Sequence, residues 1–532
     1  MATGIGGRVE PDRDPRWTLW VAVLGSAMAF LDGTVVGVAL PVMQLELHAT
    51  VDAAQWVVEA YALFLAALVL VGGALGDRLG RRRVFSWGVA LFSVASAGCG
   101  LSPGVASLIV ARGVQGIGAA LLVPGSLALI SAAYPEAERG RAIGTWSAAS
   151  AITAAVGPVA AGWVVMHGSW RWLFLLNLPL AAVVVGLASW RVAESRDEGA
   201  TGRLDLGGAA LATVGLFLVV YALIDSGRTG GMGSGRAVLL LGLGGLTLAA
   251  FVLVEARRAA PMVPLSLFRS RTFSGTNLLT LLLYAALGGG LFFLPFNLIQ
   301  VQHYSPAEAG AALLPFIALI SVLSPWAGGL AARWGARPLL VAGPSLAAAG
   351  YGLLALPTLG ERYWTTYFPG LVVLGLGMGL TVAPLTTAVM GSVDARHAGV
   401  ASGINNAVAR AASLLAVAAL GALLSARFNG ALDGRLSRLS LPGDLARAVD
   451  SERAKLGGAD FSSLEATVRD GLRQAFDLAY VAGFRTLMVA CALLAAGGAL
   501  AGLLLVEPAA GTASGPGPSA AARGRPGAAR PG

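Results

Sequence analysis

Charge is what this chain of 532 residues has least of. Asp, Glu, Lys and Arg together make up 12% of it, against about 25% in ordinary soluble domains. Lysine is nearly absent: of 37 basic residues only Lys455 is a lysine. A phosphate-cradling P-loop needs Gly-Lys-Ser/Thr at the opening of a helix, and Lys455 is followed by Leu456, so nucleotide-driven work by this chain is excluded. Cysteine is equally scarce. Cys99 and Cys491 lie in separate apolar stretches, where they serve as small packing groups rather than as a disulfide or metal site. His48, His167, His303 and His397 are scattered with no ligand spacing. The Gly-x-Ser-x-Gly match "GLSPG" at 100–104 has Pro103 after its serine and falls in a short turn between apolar runs. The strand–turn–helix elbow of a serine hydrolase cannot form there. The expectation is neither an enzyme nor a metalloprotein, with no cofactor.

What is abundant is apolar surface. Hydrophobic residues make up 56%, the mean hydropathy is +0.73 and there are 73 glycines, as where membrane helices pack closely. Fourteen runs are long enough to cross a bilayer: 17–41, 54–75, 84–101, 105–131, 142–166, 172–190, 206–225, 237–254, 273–299, 309–332, 338–357, 365–390, 398–425 and 484–506. The first continues past Asp32 to Pro41 and is read as a helix rather than a leader. Short loops after even-numbered runs hold sixteen arginines and those on the other side four, so both termini are expected in the cytoplasm. The net charge of +9 is then a topological signal, and no nucleic acid is implied. The loop 426–483 is expected outside, with a surface helix near 444–456. Residues 1–16 form a cytoplasmic N-terminus, and the tail 507–532 is too poor in apolar residues to fold.

The loop "GGALGDRLGRRR", 72–83, returns as "GGLAARWGARPL", 328–339, with Leu75, Arg78, Gly80 and Arg82 matched by Leu330, Arg333, Gly335 and Arg337. A parallel repeat of this kind implies two bundles related by an axis along the membrane normal. Helices 1–6 (17–190) form one and helices 9–14 (273–506) the other. A linker, 191–272, carries two extra helices.

The segment 73–83 resembles the major facilitator signature at Gly73, Leu75, Gly76, Asp77, Arg78, Gly80 and Arg81. "RGVQGIGAA" (112–120) is similar to that family's fourth-helix motif, "GPVAAGW" (157–163) to its antiporter motif, and "WRWLFLLNLP" (170–179) to the usual sequel. "LDGTVVGVALP" and "ASGINNAVAR" (401–410) resemble the fourteen-helix drug:proton antiporters, the EmrB/QacA-like branch. Gly37, Ala161 and Ala332 depart from the pattern, standing for Asn, Gly and the repeat's Asp respectively. The resemblance implies an all-α polytopic membrane protein of the major facilitator fold, with two six-helix bundles plus two inserted helices. It also implies a gating latch at Gly73, Gly76, Asp77, Arg78, Gly80 and Arg81, with Asp77 near the start of helix thirteen at Ala398, and an antiporter element at Gly157, Pro158 and Gly162.

Three ionisable residues fall in apolar runs at similar depth. At about 1.5 Å per helical residue, Asp32 is ~13 Å, Glu59 ~8 Å and Arg112 ~10 Å inside the outer surface. Acids are kept in membrane segments for function, and two acids beside one arginine can hold or release a proton. Asp32, Glu59 and Arg112 are therefore the expected proton-coupling set, with a static Asp–Arg brace as the alternative. Tyr284, Phe292, Asn297, Gln300, Asn405, Asn406 and Arg410 are the expected lining of a substrate cavity. The reading is a bacterial inner-membrane exporter driven by the proton gradient. It would exchange protons for lipophilic cationic or amphipathic drugs by alternating access, with the bilayer, the small molecule and protons as its only partners. Transport of a specific metabolite or of a self-made antibiotic is the alternative, and a non-transporting membrane sensor the third.

Overall fold

The computed structural model describes residues 14–196, 205–226, 234–258, 261, 263–394, 398–437, 443–462 and 464–508. The expected tail beyond 508, most of the N-terminus, and Arg203, Arg228, Arg396 and His397 lie outside the described residues. The helices are α1 (Pro15–Glu46), α2 (Val51–Leu79), α3 (Arg81–Gly100), α4 (Val105–Ala133), α5 (Glu136–His167), α6 (Arg171–Leu175), α7 (Asn177–Arg191), α8 (Leu206–Ser226) and α9 (Gly235–Arg257). There follow α10 (Arg271–Phe296), α11 (Pro306–Ala312), α12 (Leu314–Trp334), α13 (Ala336–Leu354), α14 (Tyr363–Gly391), α15 (Ala398–Leu436), α16 (Gly443–Glu452) and α17 (Ala466–Leu505).

Polar punctuation sets the boundaries. Asp14 caps α1 ahead of Pro15, its carboxylate accepting from the Arg16 N–H at 2.9 Å, and Thr50 caps α2 through Ala53 N; both satisfy donors that a helix start leaves open. Gly80 separates α2 from α3 at φ 111°, and Gly335 separates α12 from α13 at φ 81°. These two glycines are partners in the sequence repeat, and both adopt the left-handed backbone that a side chain disfavours. The repeat is therefore one of chain geometry as well as of sequence.

Eleven of the described helical stretches are long and apolar enough to span a bilayer. Of the other three long helices, α3 and α13 fall below that hydropathy, and α5 contributes the shorter apolar stretch Val156–His167. The Arg81–Arg83 run opens α3, and α13 has only 19 residues. The expected sixth span is a broken pair, α6–α7, hinged at Leu176, and the tenth is α11–α12, hinged at Leu313. Helices α1–α7 pack on one another, as do α10–α17. The α8–α9 hairpin fills the seam between them: Val220 and Ile224 of α8 lie against Leu63 of α2 and against Leu414 and Ala418 of α15.

The loop expected at 426–483 is corrected. Residues to Leu436 continue α15 and those from Ala466 begin α17, so the connection shrinks to 437–465 and holds α16 and a 3-10 turn, Arg453–Gly458. Hydropathy misses these extensions because each is charged on one face. On the other face Phe428 and Leu432 pack with Leu472 and Phe476, all 1% exposed or less, with the Phe428 and Phe476 rings 5.5 Å apart. In the connecting turn, hydrogen bonds from the Ser462 backbone and hydroxyl hold Asp460 below the ordinary carboxylate range, aided by Lys455 and His48.

Candidate functional site between the helix groups

Arg112 of α4 is 1% exposed and fully engaged. Its Nη1 donates to Asp32 Oδ2 at 2.5 Å and to Gln115 Oε1 at 2.7 Å, and its Nε donates to the Val57 carbonyl at 2.9 Å. Its guanidinium lies 4.3 Å from the centroid of the Tyr61 ring. Gln115 Nε2 in turn donates to Asp32 Oδ1 at 2.9 Å. Both Asp32 oxygens are thus occupied by donors. Behind them Ser96 receives Asn177 Nδ2 at 3.0 Å and donates to the Phe174 carbonyl at 2.9 Å. The network ties α1, α2, α3, α4 and the α6–α7 hinge together, and a buried pair satisfied in this way is held by geometry as much as by charge.

Glu59 stands apart, and the expected three-member set divides. It is 1% exposed, and neither of its oxygens has a hydrogen-bond partner. The reason is helical phase. Val57, whose carbonyl meets Arg112, and Tyr61, whose ring meets it, share one side of α2. Glu59, two residues from each, is turned about 200° away at 3.6 residues per turn. It faces a cavity of about 310 Å³ between the two helix groups. Gly33, Thr34 and Gly37 of α1 form one wall, Leu287 and Phe292 of α10 and Phe316 of α12 the opposite one, and Leu414 and Val417 of α15 the side. The chamber is almost wholly apolar, with one acid.

Pro158 of α5 also lines it. The helix runs unbroken through this proline, and the glycines beside it are places of close approach. A Cβ on Gly157 would lie 2.3 Å from Thr34 Oγ1, and one on Gly162 would lie 2.4 Å from the Pro306 carbonyl oxygen. Gly310 of α11 answers from the other group, its Cβ position 2.2 Å from the Pro158 oxygen. The "GPVAAGW" segment is therefore the seam where α5 crosses α11, at the end opposite the arginine-rich loops.

The 72–83 loop lies at the other end. Asp77 pairs with Arg81 of its own loop at 2.8 Å, Arg82 and Arg83 approach Glu194 at 3.6 Å, and the Arg81 N–H donates to the Ser195 carbonyl. The Asp77 carboxylate is thus held by Arg81 of its own loop.

Of the expected cavity lining, Phe292 is in the chamber wall. Asn297 donates to the Tyr367 hydroxyl at 2.8 Å inside the C-terminal helices, and Gln300 lies at the outer rim on Gln44. Asn405 donates to Thr280 at 2.7 Å and to Asn277 at 3.2 Å, joining α15 to α10. Asn406 is exposed and donates to the Ser402 carbonyl. Arg410 is half-buried, and the Tyr284 carbonyl accepts from Ser413. Sequence reasoning passed over Gln115, Ser96 and Asn177. A glutamine three residues after an intramembrane arginine, on the same helix face, was the available signal.

The Major Facilitator Superfamily model matches residues 22–417. The chain is 38% identical over 450 residues to the multidrug resistance protein Stp of Mycobacterium tuberculosis (strain CDC 1551 / Oshkosh), covering 83% of each. It is 34% identical over 462 residues to the tetracenomycin C resistance and export protein of Streptomyces glaucescens, covering 86% of this chain and 84% of that one. Among solved structures, a bacterial homologue of the human lysosomal transporter Spinster, inward-facing and unoccupied, superposes with a TM-score of 0.65 at 16% identity, over 94% of this chain and 98% of that one. With its all-helical fold and many apolar spans, the chain is a multi-pass membrane protein that belongs to the Major Facilitator Superfamily.

Proposed function

We propose that the protein exports lipophilic, cationic or amphipathic drugs across a bacterial inner membrane in exchange for protons. The observation that carries this is Glu59, an unpartnered carboxyl group in the wall of an otherwise apolar chamber between the two helix groups. Such a chamber is suited to an apolar body, and its size is at the lower end of small-molecule sites. An isolated charge there is costly, so the apolar chamber accommodates Glu59 as the neutral acid or as the partner of a cation. A bound cation and a bound proton then compete for one group, which is the exchange an antiporter needs. Asp32, held by Arg112 and Gln115, braces α1 against α4 in this state and takes part in coupling only when those helices separate. The names of the relatives, a multidrug resistance protein and a resistance and export protein, support export over uptake.

In this reading α3, α5 and α13 join the eleven apolar stretches to give fourteen spans. Residues 17–190 and 273–506 are the rocking bundles, and the arginine-rich loops with both termini face the cytoplasm. The 72–83 loop is a latch that engages the start of α15 when the cytoplasmic side closes. Energy comes from the proton gradient, and neither cofactor nor protein partner is required. The test is drug-driven proton flux in reconstituted liposomes. Glu59→Gln should abolish flux driven by cationic drugs, and undiminished flux in that variant would overturn the assignment.

A further inference from the structure

Glu59 is shut off from the outer end by one turn of α2. Gln55, four residues earlier on the same helix face, is 2% exposed, and its Nε2 donates to the Val417 carbonyl of α15 at 3.1 Å. This hydrogen bond crosses from one helix group to the other, and Val417 is itself part of the chamber wall. The amide sits in a socket made by a missing side chain. A Cβ on Gly421 would lie 1.8 Å from Gln55 Nε2 and 3.1 Å from the Phe293 ring.

A second amide repeats the arrangement nearer the rim. Gln44 of α1, 2% exposed, accepts from Gln300 Nε2 at 2.9 Å and donates to the Lys455 carbonyl of the 3-10 turn at 3.1 Å. Gly458 makes room for both, its Cβ position 3.2 Å from Gln300 Nε2 and 3.4 Å from Gln44 Nε2. Arg473 of α17 pins that turn by donating to the Ala459 and Gln300 carbonyls at 2.8 and 2.6 Å.

We propose that Gln55 in the Gly421 socket is the outer gate of the Glu59 chamber, with Gln44, Gln300 and the 453–458 turn as a second bolt above it. The proposal rests on the alternating-access reading of the previous section and adds the residues that hold one of its two states. When α2 and α15 part, each amide exchanges a backbone or amide partner for water. One such exchange between neutral groups shifts an equilibrium by a factor of roughly 2–10, enough to favour closure and small enough to reverse every cycle. The Gln55, Gln44 and Gln300 amides carry no charge, so in this gate the proton-responsive group of the chamber is Glu59. The socket also explains why glycine stands at 421: any side chain there displaces the Gln55 amide.

A cysteine placed at Gly37 reports the gate. That residue lines the chamber with no atom within 4 Å of its Cβ position, and the native Cys99 and Cys491 are 0% exposed. In whole cells a membrane-impermeant maleimide should label Gly37→Cys slowly. Adding Gln55→Ala or Gly421→Ala should raise the rate roughly three- to tenfold, and Gln44→Ala by less. Gly421→Ala displaces chiefly the end of the flexible Gln55 side chain and presses only lightly on the Phe293 ring at 3.1 Å, so insertion should survive. If Gln55→Ala fails to insert, Gln55→Asn keeps the amide one methylene too short to reach Val417 and carries the same expectation. In inside-out vesicles the same variants should label more slowly than the parent, because one state gains what the other loses; a merely loosened fold would label faster from both sides. Unchanged outer labelling in Gln55→Ala and Gly421→Ala, or faster labelling from both sides, overturns the gate. Because the assay contains no drug, a chain that passes it yet shows no drug-driven proton flux keeps the gate and loses the antiport reading.

Discussion

Asp32 and Glu59 belong to adjacent helices and similar depths, yet one is surrounded by donors and the other has none. Removing the charge of Asp32 leaves Arg112 buried at 1% exposure beside a neutral group. Breaking one side of a buried pair costs about 3–5 kcal/mol. Asp32→Asn should therefore melt well below the parent in detergent, and the double variant Asp32→Asn/Arg112→Gln should regain much of the loss. An unchanged melting temperature in the single variant would show that the pair is not the brace described here. Glu59→Gln replaces a group with no protein partner, so it should leave melting nearly untouched while removing proton exchange. The pair of outcomes separates a structural acid from a functional one.

At the scale of elements, the 72–83 loop and the outer connection do opposite work. The loop is ordered by its own Asp77–Arg81 contact and by Arg82 and Arg83 on Glu194. A carboxylate is favoured at a helix N-terminus, and in the proposed latch Asp77 takes up that place at the start of α15. Asp77→Asn should slow transport several-fold and leave drug affinity nearly unchanged, because the residue is remote from the chamber. A collapse of binding to solubilised protein, with normal insertion, would contradict the latch. The outer connection was legible only in part. The surface helix near 444–456 was visible in the sequence, but the continuation of α15 to Leu436 and the start of α17 at Ala466 were not. It depends on Phe428 meeting Phe476, a contact between two half-charged helices that no single hydropathy window contains.

For the whole molecule, contacts close one end. The α5–α11 seam, the Gln55 socket and the Gln44–Gln300 bolt all lie opposite the arginine-rich loops. With those loops on the cytoplasmic side, as proposed, the end that these contacts close is the outer one. An epitope tag after residue 508 should then be reached by antibody only in permeabilised cells or inside-out vesicles. Detection on intact cells would invert the molecule and, with it, the assignment of the gate to the outside.

Composition, runs and motifs were enough to determine a multi-pass membrane protein and its family, because hydropathy and helical period are local sums over neighbouring residues. Gly80 and Gly335 show how far that reaches: matched letters 255 residues apart became matched backbone turns. What the letters could not fix was which acid Arg112 would take. That choice depends on how α1, α2 and α4 are rotated about their own axes, and two residues along α2 separate the side that meets Arg112 from the side that meets the chamber. The Gln55 socket is further still from sequence reach, since donor and acceptor are 362 positions apart and the decisive feature at Gly421 is the absence of a side chain. Hydrogen-bond partners between helices are properties of close packing in three dimensions, and only the tertiary structure decided them.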